Sequence, residues 1–410
     1  MIEILFANLK KKKIAGGGGE IGDPFNYGTP LRIPAINNGG NNSIGASTAI
    51  SGDGNYAVIA GSNHTVSGKV NVGVIYVYKR TGANWEYSAE LTIAGAPAEN
   101  QLGWDCALSY DGGVLVSRAY GSTGSGDVYV FKRIGNSWSQ VRISTGTKTY
   151  ADQSVAISSD GNTIAVSNTL HNVDQGCVDI YSWSGLAWIK TTTLIPTDPS
   201  SNSFFGKGVA ISGNGKIVIV GHGGAVKKAV YVFELVGSTW SQKAKLIPSD
   251  ATGMLKFGFS LSVSMDGSVI VAGDYEVTID GIANSGKVHI FRFNNTTWIQ
   301  THVLTKPLSE TGTYYGYNAK ISGDGGTISV GQIYHSTGGI LGTGAIYTYR
   351  YNGVDWEPGA VVYGNIAPGE IRIGFRQGIS HDGNTLAYSG INELNGTGNT
   401  KGALYLLELR

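Results

Sequence analysis

Short apolar runs separated by polar, glycine-containing turns recur along most of the chain. One example runs Ala156-Ile157-Ser158, then Asp160-Gly161, then Thr163-Ile164-Ala165-Val166. An Asp-Gly or Asn-Gly pair between two such runs is typical of a tight β-hairpin, because glycine tolerates the positive φ angle that the turn needs. The pattern therefore predicts β-strands joined by tight hairpins.

The hairpin pattern repeats seven times, and consecutive turns are separated by 49 to 58 residues. The turns begin at Asp53, Asp111, Asp160, Asn214, Asp266, Asp324 and Asp382. A third run with alternating aromatic residues follows each hairpin. In six units a tryptophan stands seven residues after the last aromatic, as from Tyr78 to Trp85, and starts a fourth run. Four short antiparallel strands form a propeller blade, so seven units predict an all-β, seven-bladed β-propeller.

A further glycine precedes the turn by eight residues in six units, and Asp152 takes its place in the third. These glycines are Gly45, Gly103, Gly206, Gly258, Gly316 and Gly374. We expect each to open the first strand of its blade. That strand lines the central channel, where one backbone must approach another closely.

The seventh unit ends after only three strands, at Arg410. In other units the fourth strand carries an apolar residue twenty positions before the next turn, namely Leu91, Leu194, Leu246, Leu304 and Val362. Counting back twenty from Asp53 gives Ile33. We therefore predict that residues 27–34 pair with the strand at 403–408 and close the ring, which removes an exposed sheet edge.

Composition excludes several classes of protein. Glycine makes up 62 of 410 residues, charged residues are 14%, and the formal net charge is +1. Such a balance argues against a nucleic-acid binder built on a basic face. The sequence has no apolar run of about 18 residues, the length that would predict a membrane span. The first residues place an apolar stretch before the lysines, the reverse of a secretory signal, so we expect synthesis and folding in a cytoplasm. Cys106 and Cys177 lack framework spacing and are expected to be buried free thiols.

The first 24 residues lack the turn–strand repeat and are predicted to form a docking arm with a glycine hinge, ahead of a propeller over residues 25–410. The arm's apolar residues are Ile2, Ile4, Leu5, Phe6 and Leu9. Its lysines are Lys10, Lys11, Lys12 and Lys13, and the hinge is Gly16–Gly19. A short apolar segment on a flexible hinge is suited to capture by an assembly partner.

The fourth unit carries Phe205-Gly206, then Val209-Ala210-Ile211-Ser212, a turn, and Ile217-Val218-Ile219-Val220-Gly221. This arrangement resembles the FG-GAP repeats of integrin-α-type β-propellers, over about residues 35–410. Kelch propellers also space Tyr and Trp seven apart, but their paired glycines are mostly missing here. Many FG-GAP repeats bind calcium through a loop of the form Asp-x-Asp-x-Asp-Gly. One carboxylate per turn cannot supply the six to eight oxygens that calcium needs, so we expect no metal and no cofactor.

A candidate ligand or partner face lies at one end of the predicted ring, where the loops between second and third strands and the blade-to-blade loops both open. The first set of loops contributes His64, His171, His222 and His335. The second contributes Trp104, Phe204, Phe257, Tyr314 and Tyr315. These side chains could stack on a glycan or contact a protein, could ligate a metal through imidazole, or could be loop histidines and packing aromatics without a ligand. The recurrent tryptophans are interpreted as packing between blades.

The sequence contains no zinc-ligand spacing, nucleophile elbow or phosphate-binding loop, so no catalytic residue is assigned. We predict a non-enzymatic structural or adhesion protein. A short basic and glycine-rich arm ahead of a repeat array is similar to structural proteins of tailed bacteriophages, especially marine ones. That resemblance implies a virion protein of the tail or its fibres, docked to other virion proteins by the arm and presenting the propeller to them or to a host-surface glycan or protein.

Three other functions stay open on the sequence alone. A polysaccharide-acting lyase or glycosidase would need two carboxylates in a cleft, and the channel strands offer Asp105 and Asp152. A cell-surface adhesion module and an intracellular scaffold would differ from a virion protein only in their partners.

Overall fold

The computed structural model of the chain describes residues 29–34, 44–121, 126–143, 154–224, 228–250, 256–306, 312–336, 342–364, 372–391 and 402–409. The predicted docking arm and Asp152 lie outside these residues. The described part forms seven four-stranded antiparallel sheets. This confirms the predicted seven-bladed all-β propeller.

The strands follow one another in chain order, and the first of them belongs to the last blade. It is β1 (Leu31–Pro34). Blade 1 contains β2 (Ile44–Ile50), β3 (Tyr56–Gly61), β4 (Val74–Thr81) and β5 (Asn84–Leu91). Blade 2 contains β6 (Leu102–Leu108), β7 (Val114–Ala119), β8 (Val128–Ile134) and β9 (Ser137–Ile143). Blade 3 contains β10 (Val155–Ile157), β11 (Thr163–Asn168), β12 (Cys177–Trp183) and β13 (Trp188–Leu194). Between β11 and β12 lies one short turn, α1 (His171–Asp174), in which the last three residues have positive φ angles.

The remaining blades repeat this plan. Blade 4 contains β14 (Val209–Ile211), β15 (Ile217–Gly221), β16 (Val230–Val236) and β17 (Thr239–Leu246). Blade 5 contains β18 (Leu261–Val263), β19 (Val269–Asp274), β20 (Lys287–Phe293) and β21 (Trp298–Thr305). Blade 6 contains β22 (Tyr315–Ile321), β23 (Thr327–Gln332), β24 (Ala345–Tyr351) and β25 (Trp356–Tyr363). Blade 7 contains β26 (Gln377–Ile379), β27 (Thr385–Gly390), β28 (Ala403–Glu408) and β1.

The N-terminal strand closes the ring as predicted. β1 pairs antiparallel with β28, and Ile33 lies opposite Leu404. The equivalent pairs elsewhere are Leu91 with Ile75, Leu194 with Val178, Leu246 with Val230, Leu304 with Val288 and Val362 with Ile346. Pairing of the two distant chain segments therefore reproduces the register of a continuous blade.

The hydrophobic core lies between the blades. Each of the seven clusters of buried apolar side chains combines residues from two neighbouring blades. Alternation along the third strand produces this arrangement, since Tyr76 and Tyr78 join the cluster shared with blade 7 while Ile75 and Val77 join the one shared with blade 2. Each recurrent tryptophan packs on the cluster that its blade shares with the preceding one, as Trp240 does, which confirms their packing role.

The Phe205-Gly206 pair shows how neighbouring blades are joined. The Phe205 ring is fully buried, and its backbone forms a parallel bridge to Gly176 of the preceding blade. Gly206 has a φ of 101°, a conformation that glycine adopts without steric cost. Gly45, Gly103 and Gly316 lie inside their first strands, whereas after Gly206, Gly258 and Gly374 the strand begins three residues later. The expectation that this glycine opens the strand is therefore wrong for the latter three.

The seven hairpin turns share one hydrogen-bonding scheme. In the sixth blade the Ser322 hydroxyl donates to Asp324, and the same hydroxyl accepts the N–H of Thr327 at 2.9 Å. In the fourth blade Asn214 takes the aspartate's place and accepts the Ser212 hydroxyl at 2.7 Å. An uncharged amide thus performs the same task as the carboxylates, which supports their interpretation as turn formers.

We expect a calcium chelator to leave the melting temperature of the protein unchanged. Partial burial acts to raise the pKa of Asp160 and Asp382, but hydrogen bonds from a serine hydroxyl and from the following N–H groups outweigh it and lower the pKa. These carboxylates are therefore ionised and already satisfied by protein donors. Thermal unfolding with and without chelator, and with added calcium, measures this. A fall of many degrees on chelation would show that ions occupy the turns.

Seven backbone hydrogen bonds of 2.7–2.9 Å join neighbouring blades in a closed ring. They lie at the end of the propeller opposite the loops between second and third strands. Each accepting carbonyl belongs to the residue before the turn Asp or Asn, namely Gly52, Tyr110, Ser159, Gly213, Met265, Gly323 and His381. A Cβ atom on Gly213 would lie 2.1 Å from Met265 Cγ, and one on Gly323 would lie 2.2 Å from His381 Nδ1. At these two positions a side chain of the next blade fills the space that the glycine leaves.

Candidate functional site

The first strands of the blades surround a central cavity of about 520 Å³. Because these strands run in the same direction around the ring, equivalent residues lie at equivalent depth. We call the glycine that precedes each turn by eight residues the blade glycine. At the end near the blade-to-blade loops, the position after it supplies Ala46, Trp104, Lys207, Phe259, Tyr317 and Phe375. At the other end the cavity is lined by Ile50, Leu108, Ile157, Ile211, Val263, Ile321 and Ile379. The cavity thus has one mixed aromatic and basic end and one aliphatic end.

We call Trp104, Phe259, Tyr317 and Phe375 the aromatic rim. All four are partly exposed. The Tyr317 ring stacks on Phe375 with centroids 5.3 Å apart and lies 5.6 Å from Phe259. Tyr275 extends this contact outward, 4.9 Å from Tyr317. Aromatic faces held in this way offer a platform for the apolar face of a ligand.

Charged residues lie at the level of the rim and below it. Lys207, Lys320 and Arg376, here called the channel cations, line the cavity together with one described carboxylate, Asp105. Asp105 accepts the N–H of Val155 at 2.9 Å. Burial is the main cause that lowers the pKa of Lys320, and Arg376 lowers it further while Asp105 opposes the shift. Arg376 therefore acts electrostatically on Lys320 within the cavity, and all three channel cations are partly exposed.

Asp105 is also close enough to affect a fourth cation, Arg118, which is 3% exposed. Burial lowers the pKa of Arg118 to about 10, and Asp105 opposes this. One Arg118 N–H donates to the carbonyl of Ser167 at 2.8 Å. Asp105 therefore favours the charged form of Arg118 as well as that of Lys320.

Several residues of the predicted ligand face lie inside the blades. His64, His222, Phe257 and Tyr315 are at most 3% exposed. The His222 ring lies 4.9 Å from Tyr231, burial lowers the pKa of His64, and the Tyr315 hydroxyl hydrogen-bonds the Tyr349 hydroxyl at 2.7 Å. These side chains serve the packing between blades and do not reach an exposed surface.

The other predicted face residues remain partly exposed but are not brought together. Trp104 joins the aromatic rim and lies 6.0 Å from Tyr120, and Tyr314 lies between Tyr275 and Tyr334. Away from the cavity lie His171 in α1, Phe204 in a blade-to-blade loop, and His335, whose ring is 5.0 Å from Tyr363. The structure thus places part of the aromatic set at the channel and leaves the histidines dispersed.

The channel cations were absent from the sequence-based candidates, although the repeats contain a signal for one of them. Lys320 stands four residues after the blade glycine, where the other blades have Ala49, Ala107, Ala156, Ala210, Ser262 and Gly378. When the repeats are aligned, one long cationic side chain at a position of otherwise small residues indicates both the open space in the channel and the positive charge there. Aligning the repeats column by column would have revealed it.

A second cluster of titratable groups lies where blades 4 and 5 meet. The Lys287 ammonium donates to Asp250, and the fully buried His289 lies 3.7 Å from the same carboxyl group. Burial lowers the pKa of His289 to about 4, against the effect of Asp250. His289 is therefore neutral at physiological pH and packs edge-on against Phe257, at 5.2 Å. We assign this cluster to the stability of the interface.

Within the described residues, no group of three or more His, Cys, Asp and Glu side chains is arranged to hold a metal ion. Cys106 and Cys177 are buried free thiols, as predicted. No helix in the described part of the chain is long and apolar enough to cross a bilayer.

Comparison with known proteins supports the repeat assignment. Residues 188–233 and 240–291 match the FG-GAP repeat family. Each match starts at the tryptophan of one outer strand and ends in the third strand of the next blade, so the family's repeat spans a blade boundary. No curated protein sequence matches the chain.

Solved structures share the fold at low sequence identity. The WD40 repeats of RRP9 superpose with a TM-score of 0.56 at 11% identity, over 92% of this chain and 100% of that one. Hydrazine synthase of Kuenenia stuttgartiensis gives 0.55 at 14% identity, over 95% and 98%. These likenesses concern the fold alone. The chain is therefore a seven-bladed β-propeller with FG-GAP repeats, an architecture that fits a scaffold or adhesion module.

Proposed function

We propose that the protein is a non-enzymatic binding and docking module of a virion. In this proposal the N-terminal arm attaches the protein to its assembly, and the propeller presents its channel end to a partner. The observation that carries the binding role is the aromatic rim around a charged cavity, on the face where the blade-to-blade loops open. The assignment to the tail or tail fibre of a bacteriophage rests on the resemblance of the arm and repeat array, and a cell-surface adhesion module would use the same face.

An enzyme acting on polysaccharide is less well supported. Hydrolysis of a glycosidic bond requires two carboxyl groups about 5–10 Å apart, one as acid and one as base or nucleophile. Among the described cavity residues Asp105 is the carboxylate, and its Oδ2 is engaged by a backbone N–H. Asp152, the second candidate, lies outside the described residues.

Deleting residues 1–20 should leave a folded propeller that no longer enters its particle. The deletion removes the apolar and lysine segments but keeps β1 (Leu31–Pro34), so the ring stays closed. We would complement the native source with tagged full-length or truncated protein, purify particles and measure incorporation by immunoblotting. A matched variant that replaces only Lys10–Lys13 by serine separates the role of charge from that of the apolar segment. Incorporation of the truncated protein at the full-length level would refute the docking role.

A further inference from the structure

Nine Asp-Gly or Asn-Gly pairs lie in the described part of the chain. Seven of them form the hairpin turns between first and second strands, and the other two are Asp280-Gly281 and Asn352-Gly353. Because glycine has no Cβ, its backbone nitrogen can approach the side-chain carbonyl carbon of the preceding residue closely enough to attack it. In an Asn-Gly pair this attack closes a five-membered cyclic imide, a succinimide, and releases ammonia. Whether such a pair reacts depends on how the fold holds the glycine nitrogen.

The seven hairpin turns hold that nitrogen in place. Each turn glycine is buried, and its N–H donates to the carbonyl of the serine three residues before it, at 2.9–3.1 Å. These glycines are Gly54, Gly112, Gly161, Gly215, Gly267, Gly325 and Gly383. Attack requires the nitrogen to lose its proton and to move toward the side chain, and both changes would break this hydrogen bond. The repeated turn therefore protects the pair that forms it, including Asn214-Gly215.

Asn352-Gly353 lies in the turn between β24 and β25 and lacks this protection. Both residues are exposed. Apart from its own chain neighbours, no described atom lies within 4 Å of a Cβ placed on Gly353. The Gly353 N–H donates to no acceptor among the described residues. Its nitrogen is therefore able to lose a proton to solvent and to move toward the side chain of Asn352.

The side-chain carbonyl of Asn352 is polarised by the same turn. Its Oδ1 accepts the N–H of Val354 at 2.9 Å and that of Asp355 at 2.8 Å. Two donors on a carbonyl oxygen stabilise the negative charge that develops there during attack on the carbon. Asn214 is comparable in this respect, since its Oδ1 also accepts two hydrogen bonds, of 2.7 and 3.0 Å. The two described Asn-Gly pairs therefore differ chiefly in the glycine nitrogen.

We propose that Asn352 is a site of spontaneous deamidation in the folded protein and that Asn214 is not. A bond forms between Gly353 N and Asn352 Cγ while the bond from Cγ to Nδ2 breaks. The proton that the glycine nitrogen loses is balanced by the proton that the leaving amide takes up as ammonia. Water then adds to either carbonyl of the succinimide and opens it to an aspartate or to an isoaspartate. The net change consumes one water and releases one ammonia, and the inference is independent of the proposed function.

Either product changes the turn. Asn352 Nδ2 donates to Glu357 Oε1 at 2.8 Å, so an aspartate at this position places two like charges side by side. An isoaspartate adds a methylene to the backbone before Val354, whose carbonyl oxygen lies 3.2 Å from Nε2 of His302 in blade 5. The modification therefore acts on a contact between blades 5 and 6 as well as on the charge of the surface.

The turn of blade 5 shows which change would test the role of the glycine. It reads Asn294-Asn295, and Asn294 Oδ1 accepts the N–H groups of Thr296 and Thr297 at 3.1 and 2.8 Å. The carbonyl is thus polarised as in blade 6, but the next residue carries a side chain. Asn295 has a φ of 71°, and asparagine is among the residues that tolerate the left-handed region. Asparagine is therefore a suitable replacement for Gly353.

Incubation of the folded full chain in warm, mildly alkaline buffer, followed by tryptic peptide mapping, tests the inference. Peptides 208–216 and 351–372 carry the two asparagines, and fragment spectra locate the aspartate or isoaspartate formed. We expect Asn352 to convert at least about tenfold faster than Asn214, a difference of about 1.4 kcal/mol in barrier. In urea the two rates should approach each other. Equal rates in the folded protein, conversion of Asn352 only after unfolding, or a rate ratio that persists in urea would each overturn the proposal.

Two variants separate the glycine nitrogen from the rest of the turn. Gly353→Asn should keep the melting temperature and slow the conversion of Asn352 at least about tenfold. Gly185→Asn is the matched control, since Gly185 holds the equivalent place in the turn of blade 3 and has a φ of 93° with open space around its Cβ position. The control should convert Asn352 at the full rate. A folded Gly353→Asn protein that converts Asn352 as fast as the unaltered chain would overturn the proposal.

Discussion

A chain that lacks residues 1–34 should unfold at a temperature about 6–10 °C below that of the full-length protein. The deletion removes β1, leaves the edge of β28 unpaired from Ala403 to Leu406, and takes Ile33 from the cluster shared by blades 7 and 1. One partly buried aliphatic side chain and a few backbone hydrogen bonds together contribute roughly 3–5 kcal/mol. At about 2 °C per kcal/mol for a large domain, this gives the expected shift.

Deletion of residues 1–20 is the control for this prediction, since it keeps every residue of β1. Differential scanning calorimetry of the two truncated proteins and the full chain gives the comparison. The shorter deletion should unfold at the full-length temperature. Equal unfolding temperatures for the two truncations would show that β1 does not hold the ring closed. We also expect the longer deletion to aggregate on heating, because an unpaired strand edge is a template for another chain.

Gly286→Ala should lower the free energy of unfolding by more than about 3 kcal/mol, a cost of the size seen for severe steric disruption of a core. Gly286 precedes β20 and has a φ of 75°. A Cβ atom at this position would lie 1.9 Å from the carbonyl oxygen of Tyr315 in the next blade. That oxygen belongs to backbone, so it cannot turn aside without moving blade 6 relative to blade 5.

Gly237→Ala separates this effect from backbone strain. Gly237 has a φ of 63°, and nothing lies within 4 Å of the Cβ that alanine would add. The control should therefore lose only the roughly 1–2 kcal/mol that an L-residue pays in the left-handed region. Urea unfolding gives the free energy of unfolding of each variant, and the two can be compared when their m-values are equal. If both variants lose the same free energy, the close approach of the blades is not what requires Gly286.

The fold could be predicted from the sequence because each blade repeats the same local chemistry. Asp-Gly turns, alternating aromatic residues and a tryptophan at fixed spacing each specify one part of a blade, and all seven units agree. Even the closing strand followed from a count of twenty residues back from Asp53, which gave Ile33 opposite Leu404. The start of the first strands was less predictable. The glycine has a positive φ in all six blades, but the strand begins one residue before it in blades 1, 2 and 6 and three residues after it in blades 4, 5 and 7.

The candidate site was harder to predict because it depends on differences between the blades and not on what they share. Histidine was a poor guide, since His64 and His222 lie in the predicted loops but turn inward against Tyr76 and Tyr231. Lys320 and Arg376 are 56 positions apart (376 − 320) and meet only because neighbouring blades bring their first strands together. Loop position alone does not specify whether a side chain turns toward the channel or into a blade.

The ring of turn residues at the aliphatic end of the channel has an odd number of members, which limits how small and large residues can alternate around it. Three members of the ring, Tyr110, Met265 and His381, are large. Each follows a glycine of the neighbouring blade, and these glycines are Gly52, Gly213 and Gly323 in the same order. Strict alternation of small and large residues can close on itself only with an even number of members. Seven blades therefore force at least one pair of neighbours of the same size, and in this ring the pair is the two small residues Ser159 and Gly213. Blade 3, which contributes Ser159 and has Asp152 in place of the blade glycine, is where an odd-numbered ring accommodates the mismatch.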